Sequence, residues 1–230
     1  MLPQIADPDA QAQRQARFQG LIGLGFVAAL SFIAGMTDAI GFMATGDFVS
    51  FMSGNTTRLA VALYQDSLTR SAHIALLVLV FILGNVIGVL AAKCFDRRPW
   101  PLLLSIGSLL MACGYWGANP AMVLLAVIAM GMINAVVEEV NGLPIGLTYV
   151  TGALSRFGRG LGRWLTGERR SGWRVQLIPW CGMLAGGIAG GILADLMNLE
   201  AMLVSGLVTV ALGIVSLKMP RNWRFHPRAE

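Results

Sequence analysis

One aspartate, Asp38, stands inside the apolar run from Gly20 to Ala44, and an ionisable group in hydrocarbon costs roughly 2.5 to 3.5 kcal/mol on insertion scales. Something must offset that cost. Ser31, Gly35 and Asp38 share one helical face at i, i+4, i+7 spacing, a small polar stripe that suits a partner helix better than lipid. Asp38 therefore either carries a coupling ion or proton, or ends its helix at the membrane interface, roughly 27 Å along if the helix starts near Gly20 at about 1.5 Å per residue. Further on, Ser53-Gly54-Asn55-Thr56-Thr57-Arg58 joins residues that cap helix N-termini to a cation. A helix starting near Asn55 would expose backbone N–H groups with partial positive charge, an end that binds anions, and Arg58 would reinforce it. The other role for the string is packing, with Arg58 neutralising Asp38 or the hydroxyls joining helices.

The same chemistry returns later in the chain. Gly35-Met36-Thr37-Asp38-Ala39 recurs as Gly131-Met132-Ile133-Asn134-Ala135, and the Ser53 string recurs, degraded, as Thr151-Gly152-Ala153-Leu154-Ser155-Arg156. Asn134, Glu138 and Asn141 lie on one helical face, with Glu139 adjacent. These acids are either a solvated boundary or a proton-carrying pair for the Arg156 segment, and Glu138 is the better candidate because it shares the face of Asn134. Asn141-Gly142-Leu143-Pro144 supplies a break before the second polar segment. Weaker matches follow: Gly84 and Gly88 correspond to Gly186 and Gly190, and Ile106-Gly107 to Ser205-Gly206. A duplicated unit that sets polar residues and helix breakers at matching depths points to a transporter-like site.

The elements that must position these residues are membrane helices. Of 230 residues, 56% are hydrophobic and 13% charged, too few charges to cover a water-soluble globule. Apolar runs extend over Gly20 to Ala44, Ile74 to Ala92, Leu102 to Ala118, Ala121 to Val137, Val175 to Ala194 and Ala201 to Leu217. Several are slightly short, so tilt or local thinning is expected. The first run is too long for a signal-peptide core and reads as a retained helix. Two segments, Phe48 to Tyr64 and Leu143 to Phe157, are interrupted by glycines, hydroxyls and an arginine.

The positive-inside rule chooses between topologies. With six crossings, the clusters Arg14 and Arg17; Lys93, Arg97 and Arg98; Arg156 to Arg174; and Lys218 to Arg228 all fall on one side. Asp47, Asp66, Asp195 and Glu200 then fall on the other, with Arg58 and Arg70. Eight crossings would move the Lys93 cluster outside and make the repeats parallel. The expected fold is therefore an all-α polytopic membrane helix bundle, with six spanning helices, two broken or re-entrant helices and an internal inverted repeat. The alternative is eight spanning helices as a parallel 4+4 repeat. Residues 1–19 form a polar cytoplasmic tail, 20–118 and 119–219 the two repeats of one membrane domain, and 220–230 a basic cytoplasmic tail.

The runs Ala34-Gly35-Met36-Thr37-Asp38-Ala39-Ile40-Gly41-Phe42, Phe51-Met52-Ser53-Gly54-Asn55-Thr56-Thr57-Arg58-Leu59, Gly131-Met132-Ile133-Asn134-Ala135 and Thr148-Tyr149-Val150-Thr151-Gly152 resemble the YoaK-like family of bacterial inner-membrane proteins. The resemblance implies a small multi-pass protein and assigns no substrate. The chain departs from the family pattern at Ala153-Leu154, where a second polar pair would stand, which implies a weaker second site.

The functional expectation is a small transporter or channel-like protein for an anionic or polar solute. Asp38 and Glu138 would carry the ion or proton. Ser53 to Arg58, Asn134, Thr151 and Arg156 would line the path. The alternatives are a membrane scaffold without transport and, behind it, an intramembrane enzyme, for which no zinc pair, nucleophile elbow or phosphate loop is present. No cofactor or metal is expected. The basic stretch Arg156 to Arg174, with Trp164 and Trp173, reads as an element lying on the anionic leaflet rather than a nucleic-acid site. The lipid bilayer and a small solute are the expected partners, and Gly182, Gly186 and Gly190 offer either internal packing or a homodimer contact. Cys94, Cys113 and Cys181 read as small core residues.

Overall fold

A computed structural model describes residues 8–117, 119–136, 139–140, 143–144, 150–168 and 172–218. Eight helices follow in order: α1 (Pro8–Thr45), α2 (Met52–Tyr64), α3 (Leu68–Cys94), α4 (Pro99–Tyr115), α5 (Val123–Ile133), α6 (Val150–Leu165), α7 (Leu177–Met197) and α8 (Met202–Ser216). Among the described residues, strand is confined to a two-residue antiparallel pairing of β1 (Glu139–Val140) with β2 (Leu143–Pro144). Three stretches, Gly20–Thr45, Leu68–Cys94 and Trp173–Ser216, are long and apolar enough to cross a membrane; the last contains both α7 and α8. Helices α4 and α5 are shorter and apolar. The fold is a polytopic helical membrane bundle.

Glycines set how the helices pair, because a missing Cβ lets two backbones touch. A Cβ at Gly35 would strike the Met183 carbonyl, one at Gly186 the Phe32 carbonyl, and one at Gly190 the Met36 carbonyl, so α1 lies directly on α7. On the other side, Gly131 meets the Phe81 carbonyl, Gly84 the Ile128 carbonyl and Gly88 Met132, so α5 lies on α3. A shift of 96 positions carries Phe32, Gly35 and Met36 onto Ile128, Gly131 and Met132. A shift of 102 carries Phe81, Gly84 and Gly88 onto Met183, Gly186 and Gly190. Each contact in one pair is thus the image of a contact in the other. Between α4 and α8 the pairing is with itself: Gly107 meets Val210 and Gly206 meets Met111, and one shift of 99 exchanges the two contacts.

These contacts also fix direction. From Phe32 with Gly186 to Met36 with Gly190 both chains advance together, so α1 and α7 are parallel, as are α3 and α5. From Gly107 with Val210 to Gly114 with Leu203 they run oppositely, so α4 and α8 are antiparallel. With the short turns joining α3 to α4, α4 to α5 and α7 to α8, the six helices α1, α3, α4, α5, α7 and α8 alternate in direction. Helix α2 then starts and finishes at the end of the bundle where α1 stops, and α6 at the end where α1 begins. Neither crosses, which leaves no room for an eight-crossing arrangement, and the second copy enters upside down relative to the first.

The core is built from Leu30, Ile33, Met36 and Ile40 of α1 with Leu103, Ile106 and Leu110 of α4 and Val127, Met130 and Ile133 of α5. Helix α3 buries Leu77 and Gly84 but exposes Leu79, Ile82, Leu83, Val86 and Leu90, the face a lipid-contacting helix presents. Only Cys113 of the three cysteines is buried; Cys94 and Cys181 are exposed, contrary to a core role for all three, because they sit on outward faces of α3 and α7. The Gly182, Gly186 and Gly190 face is spent on α1 within the chain, and Gly187 and Gly191 beside it are half-buried.

Gly35→Val, Gly84→Val and Gly131→Val are each expected to cost about 3 kcal/mol or to block folding. Gly187→Ala, whose nearest non-local atom would be 3.9 Å away, is expected to stay within about 0.5 kcal/mol of wild type. Tryptophan-fluorescence melting with size-exclusion profiles in detergent measures both.

Candidate functional site

At the end of α1 the chain turns at Gly46, whose φ of +77° is a conformation other residues rarely adopt, and comes back along the helix it has just left. Val49 packs into the gap at Gly41, where a Cβ would meet its Cγ1 at 2.7 Å. Phe48 stacks on Phe42 at 4.6 Å between centroids and meets Phe51 edge-on at 5.2 Å. Gly54 leaves room for the Phe51 ring. By residue count the return reaches Asp38, seven positions before the end of α1, or roughly 10 Å into the bundle at about 1.5 Å per residue.

Asp38 is what holds it there. Its Oδ1 accepts from Val49 N–H at 2.8 Å and Ser50 N–H at 2.9 Å, and its Oδ2 accepts from the Ser50 hydroxyl at 2.9 Å. The residue is 5% exposed. Non-helical backbone at membrane depth needs each polar group satisfied by protein, and one carboxylate satisfies two N–H groups just ahead of α2. The acceptor that these two N–H groups need is thus supplied by the chain itself.

Helix α2 begins at Met52, not Asn55, and runs without a break through the Ser53 string. The Thr56 hydroxyl donates to the Met52 carbonyl and the Thr57 hydroxyl to the Ser53 carbonyl, so both serve inside the helix rather than as caps. Ser53, Thr56 and Thr57 are exposed. Asn55 is fully buried and donates to the Phe48 carbonyl at 2.7 Å, a second lock on the returning segment. Arg58 does not pair with Asp38. It lies 3.4 Å from Asp47, whose other oxygen is 2.6 Å from Nε2 of His73 on α3. Asp47 thereby ties the turn to both α2 and α3.

The second copy is built differently. Asn134, the image of Asp38, donates to Oδ1 of Asn85 on α3 at 3.3 Å and to the Met130 carbonyl at 3.4 Å. Glu138 lies outside the described residues. No break interrupts Thr151 to Arg156, because that stretch is the start of α6, a regular helix burying only Ala153. Thr151 is exposed, and Arg156 donates to Gln176 at 2.8 Å. Trp173 fills the space opened by Gly160 and meets Phe157 at 5.1 Å. Arg159 and Arg163 are exposed along one side, and Leu154, Trp164 and Leu165 are exposed apolar residues, the make-up of an interfacial helix.

Residues 26–215 match the family model described as "Protein of unknown function (DUF1275)". The chain belongs to that family. It is 47% identical over 209 residues to a UPF0700 transmembrane protein of Rhizobium meliloti (strain 1021), an alignment covering 90% of this chain and 92% of that protein. No solved structure matches. The DUF1275 match spans the helices from within α1 to within α8, so the Asp38 staple and the reciprocal glycines both lie inside it. Multi-pass membrane placement agrees with the relative's name and the apolar helices.

Sequence reasoning singled out Asp38, Asn55 and Arg58, which the structure gathers around one turn, with Ser53, Gly54, Thr56 and Thr57 on the same helix. It did not group Ser50, Asp47 or His73 with them, or Asn85 with Asn134. Thr37, buried and 2.6 Å from Ser205 of α8, was also passed over. Among the described residues no group of three or more His, Cys, Asp or Glu is placed to hold a metal ion.

Replacing Asp38 by Ala strands two buried N–H groups and a hydroxyl, and is expected to cost about 3 kcal/mol. Asp38→Asn keeps one acceptor oxygen and should lose less than half as much. Alkylation of Val49→Cys, buried in the wild-type turn, should quicken at least tenfold in the Asp38→Ala background. Arg58→Ala, acting on a partly exposed pair, should change stability by less than about 1 kcal/mol, measured against Asp47→Ala in a double-mutant cycle.

Proposed function

We propose that this chain is a small-solute transporter of the bacterial inner membrane, working by alternating access between its two inverted copies. The observation that supports it is the reciprocal packing of α1 on α7 and α5 on α3 around a self-paired α4 and α8. Such an arrangement has two equivalent settings, one open at each face, and rocking one pair against the other exchanges them.

In this reading both termini are cytoplasmic. Lys93 at the end of α3, the arginines of α6 and Lys218 after α8 lie at the end of the bundle where α1 begins, and the positive-inside rule assigns that end to the cytoplasm. The returning turn, held by Asp38 and Asn55, is the rigid element of the outer half. Arg58 and Asp47 border it, and Ser53, Gly54, Thr56 and Thr57 carry its helix. Asn134, Thr151 and Arg156 occupy the inner half. The finer resemblance to YoaK-like inner-membrane proteins agrees with this placement and adds no substrate.

Impermeant maleimide labelling provides the test, in a background with Cys94, Cys113 and Cys181 replaced. A cysteine at Thr45, at the outer end, is expected to lose reactivity several-fold when a transported solute is added, while one at Arg97, at the inner end, gains it in inverted vesicles. A solute panel that leaves both rates unchanged, with no solute-driven flux in proteoliposomes, would remove the transport reading.

A further inference from the structure

A cavity of about 480 Å³ opens at the outer end of the bundle, between the last residues of α1 (Ala44, Thr45), the turn after α4 (Gly117) and the junction from α7 to α8 (Leu196 to Glu200). That volume suits a small organic molecule. Its walls come from both copies: α1 and the turn after α4 from the first, α7 and the 3₁₀ turn Asn198–Ala201 from the second. Glycines hold the turn in place. A Cβ at Gly114 would meet the Glu200 carbonyl at 3.0 Å, and one at Gly117 would meet Glu200 N at 2.9 Å.

Among the described residues, the one charged side chain in the lining is that of Glu200. Helices α1, α4 and α7 all run toward this end, and all three stop at its wall. A helix C-terminus leaves its last carbonyls without intrahelical partners and carries a partial negative charge. None of the three has a basic residue in its last turn. Glu200, itself exposed, adds a carboxylate to the lining and, among the described residues, makes no ion pair. Helices α3, α5 and α8 begin at this end and bring positive ends with them, but none of their residues lines the cavity, whereas Ala44 and Thr45 of α1 and Leu196 and Met197 of α7 do. An anion here would face the carbonyl ends of α1 and α7 and a carboxylate.

We propose that this outer cavity binds a small organic cation, of the substituted ammonium or guanidinium type, with Glu200 as its counter-charge. The proposal rests on the transport reading for its physiological role and narrows the solute to one charge. The Thr45 hydroxyl is already donated to the Gly41 carbonyl and accepts from Asp47 N–H, so it adds little to recognition. The carboxylate and the carbonyl ends carry the selectivity.

The experiment is thermal melting and equilibrium binding of the detergent-purified full chain with tetramethylammonium, choline and methylguanidinium chlorides. Sodium chloride and sodium acetate at equal ionic strength are the controls. The expected result is a rise in Tm of about 3 °C at tenfold excess over Kd for at least one organic cation. Glu200→Gln should weaken that binding at least tenfold, while Asp195→Asn, an exposed acid outside the lining, retains it. Ala44→Phe, which adds bulk to the lining and leaves Glu200 unchanged, should also abolish it. No organic-cation shift, a shift equalled by sodium chloride or acetate, or one unchanged in Glu200→Gln each overturns the proposal. So does a Glu200→Gln effect confined to the unliganded Tm, which would make the residue only a charge partner for α8. Cation binding without flux in proteoliposomes would keep this site and defeat transport; flux of a neutral or anionic solute without cation binding would do the reverse.

Discussion

Lipid offers no hydrogen bonds, so a chain that leaves helical geometry inside a membrane must satisfy its backbone from its own side chains. In this protein that demand falls on Asp38. Burying a carboxylate without partners would cost far more than folding could offset, yet three donors converge on this one from the turn that needs it. The exchange is mutual: the turn supplies the charge with hydrogen bonds, and the charge supplies two stranded N–H groups with an acceptor. Asn55, the Phe42, Phe48 and Phe51 rings and the Asp47 bridge to α2 and α3 secure a conformation that Asp38 makes affordable.

The two copies share a frame and diverge at this point. Their glycines pair in matching positions, but where the first copy has Asp38 the second has Asn134, which reaches across to Asn85 on a neighbouring helix. A neutral amide cannot match a carboxylate in charge-assisted bonding. The difference continues into the following helices: α2 grows out of a buried turn, whereas α6 is amphipathic and buries only Ala153. Pairing also has a consequence for assembly. Since α1 rests on α7 and α3 on α5, neither copy can bury its glycine face alone, and the first half of the chain must wait for the second before its core is complete.

The sequence carried the outline of the bundle because hydropathy and charge placement act over whole helices, where single residues average out. The glycine matches at Gly84 with Gly186 and Gly107 with Gly206 looked weak as letters, glycine being common in membrane helices, and became specific only as contacts. The break near Asn55 was misplaced for a physical reason. Ser and Thr satisfy either a helix start or an i−4 carbonyl within the helix, and composition alone does not say which; Thr56 and Thr57 took the second option. Asp47 and His73 are 26 positions apart, so no local pattern joins them, whereas Asp38 stood out because an isolated acid in hydrocarbon always requires an explanation.

The parity of the fold links these features to the end of the bundle where α1 stops. Three crossings per copy invert the second copy, and inversion sends α1, α4 and α7 in one direction. Their C-termini must then gather at the face opposite the basic clusters. In a soluble bundle, lysines or arginines in the last turns would offset those ends, but positive charge is kept on the retained side during membrane insertion, and α1, α4 and α7 carry none there. That end of the bundle therefore has no basic side chain in those last turns to offset the helix ends. The same alternation starts α3, α5 and α8 at that face, so topology alone leaves it balanced; the cavity takes its sign from the helix ends that line it, those of α1 and α7, and from Glu200.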